Sequence, residues 1–222
     1  MLNARIVGPK DAELTVVLLH GYGAPGDDLV PLGSAFAQAL GGSVRYAFPA
    51  APIALGGPYG GGRAWWNLDL AKLEADLRSG AVRDRRAEVP DGLAEARAAV
   101  VEFVDALAPK KLVLGGFSQG AMLALDVALH RDPVPAGLVL MSGTHIADTE
   151  WAPRLARLAG VPIVMSHGRH DPLLPFAISD ELHAKLAAAG AQVEWVPFAG
   201  GHEIPPPVMQ ASARFLAARA AA

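Results

Sequence analysis

Five residues, lying between two stretches of different hydrophobic period, constrain the fold more than anything else in the chain. Lys111-Leu112-Val113-Leu114-Gly115 is a short apolar run that reads as a strand, and Ala121 to His130 reads as a helix. Between them stands Gly116-Phe117-Ser118-Gln119-Gly120. A chain that passes from strand to helix through Gly-x-Ser-x-Gly must turn sharply at the serine. Side chains two residues before and after it would collide, and glycine removes them. The hydroxyl is then held out at the carboxyl edge of a sheet. Eight serines and 24 glycines in 222 residues give about 0.1 such matches by chance, so the argument needs the flanking elements and the partners downstream.

The rest of the chain keeps the same alternation. Strands are expected near 16–20, 44–48, 112–116, 138–142, 162–166 and 193–197, with 2–8 as an added edge strand. Helices fit 29–40, 92–107, 119–130, 151–159, 176–189 and 206–220. In 92–107 the residues Leu93, Ala96, Val100, Val104 and Leu107 share a face, with Asp91 as the expected cap, and Gly190 suits a helix stop. This pattern predicts an α/β fold, a mostly parallel central sheet flanked by helices. The region 49–90 breaks the rhythm, with an insertion near 56–90. It reads as an inserted loop and short helix, with Leu70, Leu73 and Leu77 along one side, and such insertions often line a pocket. The glycines at 60–62 suggest a mobile loop there. A length of 222 residues suits a single domain over 1–222.

Composition narrows the partners. Apolar residues make up 52%, charged residues 18%, and the net charge is −3. That balance gives no electrostatic reason to expect a nucleic acid or an anionic membrane as partner. The absence of cysteine excludes disulfides, thiolate metal sites and a cysteine nucleophile. Met1 to Lys10 lacks the pattern of a signal peptide, and Val16 to Leu19 is too short to span a bilayer. The expectation is a cytoplasmic protein, monomer or homodimer, without stable membrane insertion.

A nucleophilic serine needs a base, and the base needs an orienting carboxylate. Asp171 follows the apolar strand Val161 to Met165, and His202 follows Gln192 to Phe198. The order Ser118, Asp171, His202 and the position of each beyond a strand's carboxyl end suit one catalytic group. Asp148, Asp180 and Glu203 are alternatives for the carboxylate. Backbone N–H groups of Tyr22, in the loop His20-Gly21-Tyr22-Gly23, and of Gln119 are the expected oxyanion donors. Trp65, Trp66, Leu73 and His145 are the expected pocket residues, Trp66 ahead of Trp65 because neighbours in extended chain point opposite ways. His20 and His167 are expected to hold loops, and His170 to face solvent.

Together these residues resemble the phospholipase/carboxylesterase family of the α/β-hydrolase superfamily. The resemblance rests on Leu19-His20-Gly21, Leu114 to Gly120, His167-Gly168-x-x-Asp171-x-x-x-Pro175 and Gly201-His202. It implies an α/β-hydrolase fold without a large cap domain. It also implies Ser118 as nucleophile, Asp171 as orienter, His202 as base, and no metal or cofactor. The implied activity is hydrolysis of small-molecule carboxylic esters with short to medium acyl chains. Lysophospholipase or acyl-protein thioesterase activity is the close variant. A non-catalytic binding protein on the same fold is the alternative of another class. This chain has Trp65-Trp66-Asn67 where family members commonly carry an acidic third residue, and Leu68 to Pro90 is longer than usual.

Overall fold

A computed structural model describes residues 1–40, 43–56, 60–79 and 83–221. The expected insertion at 56–90 therefore lies partly outside the described residues, at 57–59 and 80–82. Among the described residues, seven strands form one sheet in the order β1-β3-β2-β6-β7-β8-β9. These are β1 (Ala4–Val7), β2 (Leu14–Leu19), β3 (Val44–Pro49), β6 (Lys111–Phe117), β7 (Gly137–Met141), β8 (Pro162–Gly168) and β9 (Gln192–Phe198). Only β1 runs antiparallel to its neighbour. A two-stranded ribbon, β4 (Ile53–Ala54) with β5 (Arg63–Ala64), stands apart from the sheet.

Helices cover both faces. They are α1 (Val30–Leu40), α2 (Leu70–Ser79), α3 (Leu93–Leu107), α4 (Gln119–His130), α5 (Asp148–Trp151), α6 (Phe176–Ala188) and α7 (Pro206–Ala221). Alternate strand residues separate into two cores. Val17, Leu19, Leu114, Leu140 and Met165 pack with α3, α4 and α6, while Val16, Leu18, Val113, Val139 and Val164 pack with α1 and α7. Every residue of β2, β3 and β7 is buried, which is why these strands read as mostly apolar runs, interrupted by Thr15 and by Arg45, whose guanidinium donates to the Leu107 carbonyl. No described helix is long and apolar enough to cross a membrane.

Two expectations need correction. The helix expected at 151–159 is an α-turn over Asp148–Trp151 followed by a 3-10 turn over Ala152–Leu158. Pro153 has no N–H to offer residue 149, so an α-helical bond is lost there. Asp91 does not cap α3; the cap is Gly92 at φ 91°, and no side chain bonds there. The stop at Gly190 holds, at φ +93°.

The parallel run brings the carboxyl ends of β2, β6, β8 and β9 to one edge, and the loops after them form the site. The turn after β6 is tightly held. A Cβ on Gly120 would lie 2.0 Å from the Leu19 carbonyl oxygen, and one on Gly116 would lie 2.4 Å from the same atom and 2.6 Å from the Gly120 carbonyl carbon. The glycines thus relieve a clash with β2 as well as with each other. Gly120→Ala should cost about 3 kcal/mol or more, at the upper end for overpacking, because a rigid backbone is the obstacle. Urea denaturation would show a large fall in midpoint at unchanged slope.

Candidate active site

Ser118 sits between β6 and α4 with φ 54° and ψ −118°, a backbone strain rare outside glycine. Its N–H donates to the Met141 carbonyl at 2.9 Å, and its carbonyl accepts from Met122 at 3.1 Å. The turn is therefore fixed from both the sheet and the helix. The side chain enters a cleft of about 350 Å³ that His202, Tyr22 and Gln119 also line.

Asp171 and His202 meet directly. His202 Nδ1 lies 2.7 Å from Asp171 Oδ2. The other carboxylate oxygen accepts the N–H groups of Leu173 at 2.8 Å and Leu174 at 2.9 Å. The Asp171 side chain is fully buried. Burial alone would push its carboxyl up, but the His202 hydrogen bond and charge and the two backbone donors outweigh that and hold it below the usual range. Of the alternatives, Asp148 pairs with His145 and Lys185, Asp180 with His183, and Glu203 accepts the Gly201 N–H. None of them takes His202 Nδ1.

Buried histidines fix the surrounding loops. His20 Nδ1 donates to the Gly21 carbonyl at 2.8 Å, and Nε2 accepts the Ala51 N–H at 3.1 Å. That pattern requires a neutral ring, and burial lowers its pKa accordingly. His167 Nε2 donates to the Leu174 carbonyl at 2.8 Å, which pins the segment that holds Asp171. His170 is exposed, as expected.

The pocket expectations divide. Trp66 and Leu73 line the cleft. Trp65 does not; its indole N–H points into the core and donates to the His20 carbonyl at 3.0 Å. His145 does not either. It lies fully buried behind the wall, 3.0 Å from Asp148 Oδ1 and stacked on Trp151 at 5.8 Å, and Ile146 takes the place beside the cleft. Leu70 joins Leu73 at the cleft, whereas Leu77 is 41% exposed, and no residue of α2 is buried.

Sequence reasoning missed the side chain of Gln119. Its Oε1 accepts the Trp65 N–H at 2.9 Å and its Nε2 donates to the Trp66 carbonyl at 2.9 Å. The residue expected to offer a backbone donor to the cleft thus clamps the cleft wall with its amide. A buried glutamine at the first position of an apolar helix was the available signal. Arg83 and Arg85, which also line the cleft, were hidden in a stretch that reads as solvated charge.

The sequence matches the phospholipase/carboxylesterase family over residues 2–220, so the chain belongs to that family. The acyl-protein thioesterase 1 of Schizosaccharomyces pombe is 27% identical over 187 residues, covering 80% of this chain and 78% of that protein. The crystal structure of esterase PE8 is similar with a TM-score of 0.79 and 27% identity, over 97% of both chains. The carboxylesterase of Bacillus cereus shares the fold, with a TM-score of 0.71 and 21% identity over 99% of this chain and 95% of that one.

Two outcomes follow from the geometry. Gln119→Ala leaves two buried backbone groups unpaired, at about 1–3 kcal/mol each, and should lower the urea midpoint and catalytic efficiency together. For Asp171, the lowered pKa means that its contribution to stability is full above the ordinary carboxylate range and fades as pH falls through the lower, folded value. Asp171→Asn does not titrate there. The stability gap between wild type and variant should therefore narrow as pH is lowered, measured by urea titrations at several pH values.

Proposed function

We propose that this member of the phospholipase/carboxylesterase family is a serine hydrolase that cleaves carboxylic esters of short to medium acyl chains, working as one domain. The Asp171–His202 hydrogen bond of 2.7 Å, in a cleft shared with a strained Ser118, carries the reading. With Nδ1–H donated to Asp171, His202 Nε2 holds the lone pair. It takes the Ser118 hydroxyl proton as Oγ bonds to the ester carbonyl carbon. The carbonyl oxygen gains the negative charge and is met by the N–H groups of Tyr22 and Gln119, at the start of α4. His202 then gives its proton to the departing alkoxide. Water, deprotonated by the same nitrogen, clears the acyl-enzyme and restores Ser118. No metal or cofactor enters these steps.

The cleft of about 350 Å³ is at the small end for ligand pockets, which supports acyl groups of modest length. A second reading, hydrolysis of S-acyl thioesters, is favoured by the likeness to an acyl-protein thioesterase and by the open apolar groove beside His202. Both readings use the same acyl-enzyme.

A series of p-nitrophenyl esters from acetate to palmitate should show activity peaking at short to medium chains. Ser118→Ala should lose about six orders of magnitude in kcat, the scale found for serine hydrolases, and should resist labelling by a fluorophosphonate. Near-wild-type turnover by the variant would end the assignment. A matched thioester and oxyester pair would then rank the two readings.

A further inference from the structure

We propose that Arg83 and Arg85 form an anion subsite at the far end of the cleft, and that the preferred substrates are half esters of dicarboxylic acids, whose acyl chain ends in a carboxylate. This inference rests on the hydrolase reading above and narrows its substrate class.

Cavity connections give the cleft a direction. It shares Asp28, Phe117 and His202 with an open apolar groove on one side. It shares Leu68, Leu73, Arg83 and Arg85 with a smaller cavity on the other. The cleft thus has a histidine end and an arginine end. His202 must protonate the leaving group, so the leaving group lies toward the histidine end. The acyl chain then extends the other way, past Trp66 and Leu73, toward the arginines.

The charges support that assignment. The Arg83 side chain is only 10% exposed. Its Nη1 donates to the Leu173 carbonyl at 2.7 Å, and its nearest acid, Asp76, stands 3.6 Å from Nε. Arg85 Nε donates to Glu88 at 2.7 Å. Asp76 and Glu88 line the smaller cavity and are not part of the cleft wall. Arg83 and Arg85 therefore border both spaces, whereas the acids they pair with border only the smaller cavity. Burial, and then the neighbouring Arg85 charge, lowers the Arg83 pKa, the signature of a cation short of compensation. A plain alkyl end would desolvate these groups further and give nothing back. A carboxylate supplies acceptors for the planar guanidinium fork in an apolar setting, where such bonds are strong. At the other end the charged residues of the groove are acids, Asp28 and Glu203, which disfavour an anionic leaving group.

The test compares mono-p-nitrophenyl adipate with p-nitrophenyl hexanoate, two acyl groups of equal length that differ in the terminal charge. Wild type should favour the adipate ester in kcat/KM. In Arg83→Gln and in Arg85→Gln the adipate-to-hexanoate ratio should fall about tenfold to a hundredfold, the range for a charged hydrogen bond. The ratio is taken within one preparation, so partial misfolding cancels. A second pair, 4-hexanoyloxybenzoate and phenyl hexanoate, places the anion on the leaving group, and its ratio should not fall in either variant. An unchanged adipate ratio in both variants, with hexanoate still turned over, overturns the subsite and leaves the hydrolase reading intact. A fall in the hydroxybenzoate ratio in place of the adipate ratio also overturns it, because the anion would then bind on the alcohol side. Absence of turnover of both the adipate and the hexanoate ester by wild type removes the hydrolase reading and this inference with it.

Discussion

The site depends on how closely the turn after β6 approaches the carboxyl end of β2. The Leu19 carbonyl occupies the space where both Gly116 and Gly120 would carry a Cβ. That contact sets the path of the chain through Ser118, whose strained dihedrals survive because strand and helix are both fixed around it. It also places the amino terminus of α4 beside the loop that follows β2. Gln119 then reaches across to Trp65 and Trp66, and Trp65 in turn bonds to the His20 carbonyl. One close backbone contact thus carries its geometry through buried hydrogen bonds to the cleft wall and the Tyr22 loop. Such bonds are strong where water is excluded, and leaving any of them unmade is expensive.

The carboxylate side is held by a different logic. Asp171 lies in a loop, and a loop must be pinned to hold an imidazole in one orientation. Leu173 and Leu174 donate to its inner oxygen, and His167 takes the Leu174 carbonyl. Arg83 takes the Leu173 carbonyl from across the cleft. The segment around the carboxylate is thereby tied both to β8 and to the insertion. A residue from the insertion supports the same peptide that binds the Asp171 carboxylate, so the cleft wall and the Asp171–His202 pair are physically joined at Leu173.

Much of this was legible in the sequence because period and turn chemistry are local properties. The apolar runs located all the strands of the sheet, and the glycines around Ser118 revealed the turn by the side chains they lack. Asp171 and His202 could be found because an open parallel sheet gathers its functional loops at one edge. What stayed hidden depends on contacts between distant segments. Trp65 and His145 look like pocket residues by neighbourhood, yet hydrogen bonding and stacking turn both into the core. Gln119 reads as a backbone donor, and only its partners 53 and 54 residues away reveal the clamp. Arg83 and Arg85 sit among so many charges that sequence alone gives each a solvated face.

The insertion is built by other means than the catalytic edge, and this bears on how such a chain acquires its substrate. Helix α2 buries no residue, and the ion pairs Lys72–Glu88 and Arg83–Asp76 tie it to the segment that follows. The exposed Lys72–Glu88 pair contributes little and weakens with salt. The elbow, by contrast, rests on backbone contacts that admit no side chain. Substitutions on α2 and its neighbours can therefore change the wall of the cleft at small energetic cost, while almost any change at Gly116 or Gly120 disturbs the fold. Chemistry and selectivity are thus placed on parts of the molecule with unequal tolerance. The exception is Arg83, a wall residue that also holds the Asp171 loop through the Leu173 carbonyl, so that a change there disturbs the wall and the Asp171–His202 pair together.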